Sequence, residues 1–296
     1  MLYSPVNPYE KICLRNVKEE NFQLGCDGSG VIIGVGPGVD SAMYLHKKIA
    51  IHEGGWQKVC LKNIHKDNVI VMDEEVDPIQ AATACVNPLT AIGMVDTALK
   101  AGCNSVVQLA ASSQLGAMVL KFAHLQGVET LNVVRREEQV AKMQQLIEAL
   151  PVIGEGQQPR HYVLNSSAPN FYLDAKTLID QLQPRMLFDV VGGELPARLF
   201  ECMPEKSVLL VVGNLTHEPI PVRAHDIIGN QKQVRGLMLW SWMDSLQPFE
   251  REKWRRFVAN DFLRPVEDRL FTSTVVKILP FEEWEQAVEL SEVVAS

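Results

Sequence analysis

Between residues 104 and 212 the chain alternates short β-branched apolar runs with stretches of helical period, and no other feature constrains its fold so tightly. Residues 104–110 (NSVVQLA) have the composition of a buried strand. Residues 114–126 follow with Leu115, Met118, Phe122 and Leu125 on one helical face. The next strand is 129–134 (ETLNVV). After it Val140, Met143, Leu146, Ile147 and Leu150 form a second helical stripe, stopped near Pro151, whose ring removes a donor and crowds the preceding turn. Beyond a polar loop at 154–160 come a strand at 161–164, a helix at 175–183, a strand at 186–191, a turn at Gly192 and Gly193, a helix at 195–203 and a strand at 207–212. Parallel strands need crossover connections, usually helices, so this series predicts an α/β fold with a doubly wound parallel sheet.

The flanks have a different texture. Residues 1–85 are rich in Gly, with strand-like runs at 30–35 and 69–72 and few helical periods, which predicts a compact β-rich module. Past Trp240 the chain becomes charged and helical (249–260), then offers a strand at 274–279 and a final helix at 281–293. A chain of 296 residues at roughly 150 per domain makes about two domains.

Twenty-eight basic and 36 acidic residues leave a formal charge of −8 with no clustered basic face, which argues against nucleic acid or anionic membrane as a partner. Apolar stretches such as Val208 to Val212 fall far short of the roughly 18 residues of a membrane span, and none is predicted. Six cysteines at 13, 26, 60, 85, 103 and 202 contain no CxxC pair, so they suit core packing in a reducing compartment. The first 25 residues carry Glu10, Glu19 and Glu20 without an apolar core, unlike a secretory signal or transit peptide.

The turn Ala110-Ala111-Ser112-Ser113-Gln114-Leu115-Gly116 joins a strand to a helix where a dinucleotide pyrophosphate can sit on the helix N-terminus. Ala and Ser stand where a GxGxxG fingerprint has Gly, and Gly116 matches the last position. About 20 residues on, where an acidic residue would read a ribose hydroxyl, stand Arg135 and Arg136. Guanidinium groups there pair with a 2′-phosphate, so NADPH is favoured over NADH; the alternative is that both arginines cap a strand at the surface. In VNPLTA, Asn87 and Thr90 are either donors and acceptors at a hinge or simply a helix start.

The runs VNPLTA, VVQLAASSQLGAMVLKFAHLQG and LNVVRREEQ together resemble the nucleotide-binding half of the zinc-independent medium-chain dehydrogenase/reductases, above all the mitochondrial 2-enoyl thioester reductases, with the quinone oxidoreductases beside them. Upstream, SPVNPYE and LGCDGSGVIIGVGPGV are similar to that superfamily's GroES-like catalytic domain; downstream, FDVVGGELPARLF and VRGLMLWSW match its layout. The resemblance covers almost the whole chain. It implies a Rossmann sheet plus a GroES-like β-rich domain, shortened at both termini. Residues 1–85 would be the first part of the catalytic domain, 86–235 the NADPH-binding domain and 236–296 the returning part of the catalytic domain. It also implies NADPH-dependent reduction of the C2=C3 bond of a trans-2-enoyl thioester carried by CoA or acyl carrier protein, a mitochondrial address, and a homodimer or a place in a larger complex.

By position, the resemblance makes Asn87 and Thr90 cofactor contacts, Ser112, Ser113, Gln114, Leu115 and Gly116 the phosphate turn, and Arg135 and Arg136 the 2′-phosphate site. Val212, Gly213, Asn214 and Leu215, with Leu237, Met238 and Leu239, would wall the nicotinamide. One departure stands out: the family's reaction-centre tyrosine falls at Val17 or Lys18, and Tyr9, eight or nine residues away, is a poor substitute. The catalytic residue is therefore unassigned. A catalytically silent relative serving as a binding or scaffold subunit and an NADPH quinone oxidoreductase stay open as alternatives. Zinc-dependent relatives place a GHE motif where Gly25-Cys26-Asp27-Gly28 stands; the other ligands are missing, so no zinc site is expected. His52-Glu53 reads as a solvated loop pair, and Trp240, Trp242 and Trp254 as packing residues.

Overall fold

The computed structural model describes residues 1–7, 10–11, 13–14, 24–64 and 69–295. Two compact units emerge, residues 1–89 with 247–296, and residues 90–246.

In the first unit, strands β1 (Asp27–Val31), β2 (Lys48–His52) and β3 (Val69–Met72) form an antiparallel sheet in the order β1-β2-β3. Ile49, Ile51 and Val69 pack together on it. The strand expected at 30–35 lies earlier, because β1 pairs from Asp27 opposite His52 to Val31 opposite Lys48. Beyond it Gly34, Gly36, Pro37 and Gly38 lead the chain away, and Ile33 is exposed. The strand expected at 274–279 is not formed. Its β-branched composition is real, but Val276 and Ile278 face solvent and no strand hydrogen-bonds to them among the described residues, and a β-prone run is a strand only beside another. The helix Pro248–Asp261 matches expectation; Pro248 opens it and the Glu250 carboxylate accepts the Gln247 N–H at 2.9 Å.

His52 departs from the expected solvated pair. It ends β2 only 9% exposed, and burial, aided by Lys62, lowers its imidazole pKa to about 3. Glu53 beside it is exposed with its Oε1 4.0 Å from His52 Nδ1.

The second unit is the alternating one. After helix α1 (Val86–Lys100) come β4 (Ser105–Leu109), α2 (Gln114–Leu125), β5 (Glu129–Val134), α3 (Glu137–Glu148), β6 (His161–Asn165), α4 (Phe171–Leu182), β7 (Met186–Asp189), α5 (Glu194–Cys202), β8 (Val208–Val211), β9 (Gln233–Gly236) and α6 (Leu239–Ser245). The six strands are all parallel in the order β6-β5-β4-β7-β8-β9. This is the doubly wound sheet that the alternation predicts. Val107, Leu109, Leu131, Val133, Leu187 and Leu209 of the strands pack with Phe171, Ile179, Leu199 and Phe200 of α4 and α5. A second cluster joins Ala111, Leu120, Val134 and Met143. Burial of both faces explains the continuous apolar strands.

Two elements differ from the sequence reading. β9 was not foreseen because all four of its residues are exposed, so an edge strand here carries no apolar run. β7 stops at Asp189, not 191, because that carboxylate takes the next N–H groups of the chain.

Phe171, 2% exposed in the larger cluster, is the anchor whose truncation should be felt most: Phe171→Ala should cost about 3–5 kcal/mol, read from urea denaturation. His52 gives a pH test. Its folded pKa is below the unfolded value near 6.5, so its contribution is present above about pH 6.5 and is lost as pH falls toward 3. The denaturation midpoint should drop between pH 6.5 and 4, and His52→Leu should flatten that part of the profile.

Candidate functional site

In an open parallel sheet a ligand crevice lies beyond the strands' C-terminal ends where strand order reverses. Here that point is between β4 and β7. The chain leaves β4 through Ala110, whose φ of 50° is left-handed and costs a non-glycine residue about 1–2 kcal/mol. Ala111, fully buried, donates its N–H to Val133 O at 3.2 Å, and Ser113 N–H closes the turn on Ala110 O at 3.0 Å. Ser113 is the N-cap of α2, with Oγ accepting the Gly116 N–H at 3.1 Å. The N–H groups of Gln114 and Leu115 belong to the same first turn, where no intrahelical acceptor exists and the helix dipole is positive.

Gly116 sets how close helix and strand come. A Cβ there would lie 2.5 Å from Ala111 O and 2.7 Å from Ala110 O, both backbone atoms that cannot swing aside. The last glycine of a dinucleotide fingerprint has this same task. Ser112, Ser113, Gln114 and Leu115 are partly exposed around it, forming a cradle of small and polar groups that suits a pyrophosphate.

Arg135 and Arg136 follow β5, both exposed. Their backbone N–H groups donate to one acceptor, Gln139 Oε1, at 3.0 and 3.1 Å, and Ser167 Oγ donates to Arg135 O at 2.9 Å. Arg136 Nε pairs with Glu138 Oε1 at 2.9 Å. From α3, Lys142 Nζ reaches Ser112 O at 3.5 Å, which brings a cation to the turn itself. Neither Gln139 nor Lys142 was singled out from sequence, although a glutamine three residues past the N-cap is a readable capping signal.

Opposite, at the end of β7, the buried Asp189 carboxylate accepts the N–H of Val191 at 2.7 Å and of Gly192 at 3.1 Å. Burial pushes its pKa up while the two N–H donors hold it down. Gly192 has φ 79°, and a side chain there would strike Asn214 Oδ1. Val212 and Gly213 donate to Asp189 O at 2.7 and 3.3 Å, and Leu215 to Val190 O at 3.0 Å, so this loop is laid along the end of β7. Leu237 N–H bonds Val211 O at 2.9 Å; Met238 is exposed and Leu239 is buried as α6 begins. The fold thus carries the residues of the turn, the arginine pair and both walls on C-terminal ends of one sheet. Asp189, which organises the second wall, is a missed residue whose signal was an acid between a buried strand and Gly-Gly.

Thr90 is buried, and Asn87, in the first unit, is half-buried; both lie within α1, not ahead of it. VNPLTA is therefore a helix start, and the Asp27 carboxylate accepts the N–H groups of Cys85 and Val86 at 3.3 and 3.1 Å. Tyr9, Val17 and Lys18 lie outside the described residues. Cys26 Sγ accepts from Asn7 Nδ2 at 3.2 Å, and burial beside Glu10 pushes the thiol pKa up. The described residues contain no group of three or more His, Cys, Asp or Glu that could hold a metal ion. Trp242 packs against Gly93 and donates to Asp96 Oδ2 at 3.2 Å.

No family model matches the chain. Among curated proteins it is similar to the mitochondrial enoyl-[acyl-carrier-protein] reductase of Dictyostelium discoideum, 24% identical over 265 residues covering 85% of this chain and 71% of that protein. It is also similar to the enzyme of the same name from Arabidopsis thaliana, 28% identical over 255 residues covering 82% and 64%. Against the Arabidopsis protein, then, the match spans less than two thirds of the relative's length. Among solved structures, Escherichia coli quinone oxidoreductase complexed with NADPH aligns with a TM-score of 0.76 at 15% identity, covering 99% of this chain and 86% of that one. The Etr1p/NADP/crotonyl-CoA complex aligns with a TM-score of 0.75 at 17% identity, covering 98% and 86%; Etr1p is a mitochondrial 2-enoyl thioester reductase from Candida tropicalis. The likeness to the medium-chain dehydrogenase/reductases read from sequence holds, and the fold is theirs.

Gly116→Ala should force α2 off the turn and destabilise by about 1–3 kcal/mol. Ser113→Ala should lose only a cap, about 1 kcal/mol. Thermal denaturation of the two variants checks the order.

Proposed function

With that likeness as premise, we propose that the chain is an NADPH-dependent reductase of the C2=C3 bond of trans-2-enoyl thioesters. The observation that carries the reading is the glycine-seated turn at the point of strand reversal with the arginine pair on the end of the adjacent strand. The residues fit the cofactor: without a Cβ at 116, the backbone makes a cradle, and cations from two elements border it. NADPH, when bound, would supply the hydride added at C3 of the acyl group.

The chain's own work is placement. Ser113 caps α2, and the N–H groups of its first turn, with Ser112, Gln114 and Leu115, take the pyrophosphate; Arg135 and Arg136 take the 2′-phosphate through charge-assisted hydrogen bonds. Val212, Gly213, Asn214 and Leu215 with Leu237, Met238 and Leu239 wall the nicotinamide, and Asn87 and Thr90 contribute from α1. The substrate is a thioester of CoA or acyl carrier protein, the assembly a homodimer or part of a larger complex, and the address mitochondrial. The names of the curated relatives support the acyl-carrier-protein thioester and the mitochondrial address.

A second reading rests on one observation, the Val17 or Lys18 that stands where the family has its tyrosine. Under it the chain binds NADPH but serves as a silent partner subunit.

NADPH oxidation with crotonyl-CoA separates the two: turnover supports the reductase, whereas binding without turnover of either an enoyl thioester or a quinone supports the silent subunit. Arg135→Ala should weaken NADPH by about 1.5–3 kcal/mol and leave NADH nearly unchanged, as read by fluorescence titration. Equal loss for both nucleotides would remove the arginines from the 2′-phosphate site.

A further inference from the structure

Behind the phosphate turn the otherwise largely apolar interior of the parallel sheet contains a line of polar side chains. Gln108 of β4 donates through Nε2 to Gly116 O at 3.2 Å and to Asn132 Oδ1 at 2.5 Å. Asn132 Nδ2 donates to Thr130 Oγ1 at 2.7 Å and to Tyr162 O at 2.9 Å. Thr130 Oγ1 lies 2.9 Å from His161 Nδ1, His161 Nε2 lies 3.0 Å from His124 Nδ1, and His124 Nε2 lies 2.7 Å from Pro151 O. Gln108, Thr130, Asn132 and His124 are all buried.

The far end of this chain determines its direction. Pro151 O can only accept, so His124 Nε2 carries a hydrogen. With neutral rings His124 Nδ1 is then bare and accepts from His161 Nε2–H, which leaves His161 Nδ1 bare to accept from the Thr130 hydroxyl. Thr130 in turn accepts from Asn132, and Asn132 Oδ1 accepts from Gln108. One arrangement satisfies every link, with both imidazoles in the Nε2–H form. Burial and the neighbouring His124 ring hold the His161 pKa down at about 4, in keeping with a neutral ring.

A buried polar group is costly when unsatisfied, so such a line persists where its links position something. Its one contact with the nucleotide turn is Gly116 O, in the first turn of α2. We propose that Gln108 is a positioning residue for this turn, with Asn132, Thr130, His161 and His124 holding its amide in the required orientation. Gly116 prevents α2 from being pushed away, and Gln108 ties it down. The proposal deepens the NADPH reading and rests on it for the nature of the ligand.

The test uses the full chain with and without NADPH. Gln108→Leu keeps the size and removes the donor; Thr130→Val breaks the line two links away, and Thr130→Ser restores the hydroxyl. Gln108→Leu should speed amide hydrogen exchange over residues 114–118 and weaken NADPH, each by about tenfold, with kcat nearly unchanged. Thr130→Val should act in the same direction and alter the imidazole ¹⁵N signature of His161, and Thr130→Ser should return both to the parent values. Parent-like exchange and NADPH affinity in both Gln108→Leu and Thr130→Val would overturn the proposal while leaving the reductase reading intact. If the parent chain binds no NADPH but exchange over 114–118 still responds, the reductase reading falls and the positioning role stands.

Discussion

The approach of α2 to the turn after β4 is a contact of backbone on backbone, and the candidate site depends on it. Gly116 lies against two carbonyl groups that leave no room for a side chain. Because that contact has no flexible part, the first turn of α2 keeps a defined distance from the end of β4, and the N–H groups of Gln114 and Leu115 keep a defined place. Ser113 closes the same turn from its other side. A helix N-terminus binds an anion only as well as its donors are placed.

The sheet supplies what the turn cannot. Its order reverses between β4 and β7, the point at which an open parallel sheet sends successive loops to opposite sides. One wall is organised by Asp189, whose carboxylate turns the chain through Val191 and Gly192 while its carbonyl accepts Val212 and Gly213. On the other side Gln139 gathers the two arginine N–H groups and Lys142 reaches the turn. Each loop is thus tied by side chains of its own neighbourhood.

Much of the site was legible because it depends on local chemistry. The strand-turn-helix with Ser113 in its bend, Gly116 at the last fingerprint position and Arg135 and Arg136 at the next strand end are all read from spacing along one βαβ segment. Asp189 was passed over because a single acid before Gly-Gly has many uses, and the hydrogen bonds its carbonyl accepts from Val212 and Gly213 form only when β7 and β8 lie side by side. The line from Gln108 to Pro151 was invisible for a similar reason: Gln108 and Asn132, Thr130 and His161, and His161 and His124 are 24, 31 and 37 residues apart in sequence and meet only once the strands pair and α2 packs on them.

By itself the sequence determined that the centre of the chain is a doubly wound parallel sheet, since period and burial are properties of each segment and its own neighbours. It also determined that a strand-to-helix turn stands at residues 110–116. Only the tertiary structure decided that 274–279 is not a strand, that 233–236 is one, that His52 is buried, and which polar groups find partners. Those outcomes turn on what lies across from a residue in space, and strand pairing and burial are relations between segments that no single stretch of chain contains.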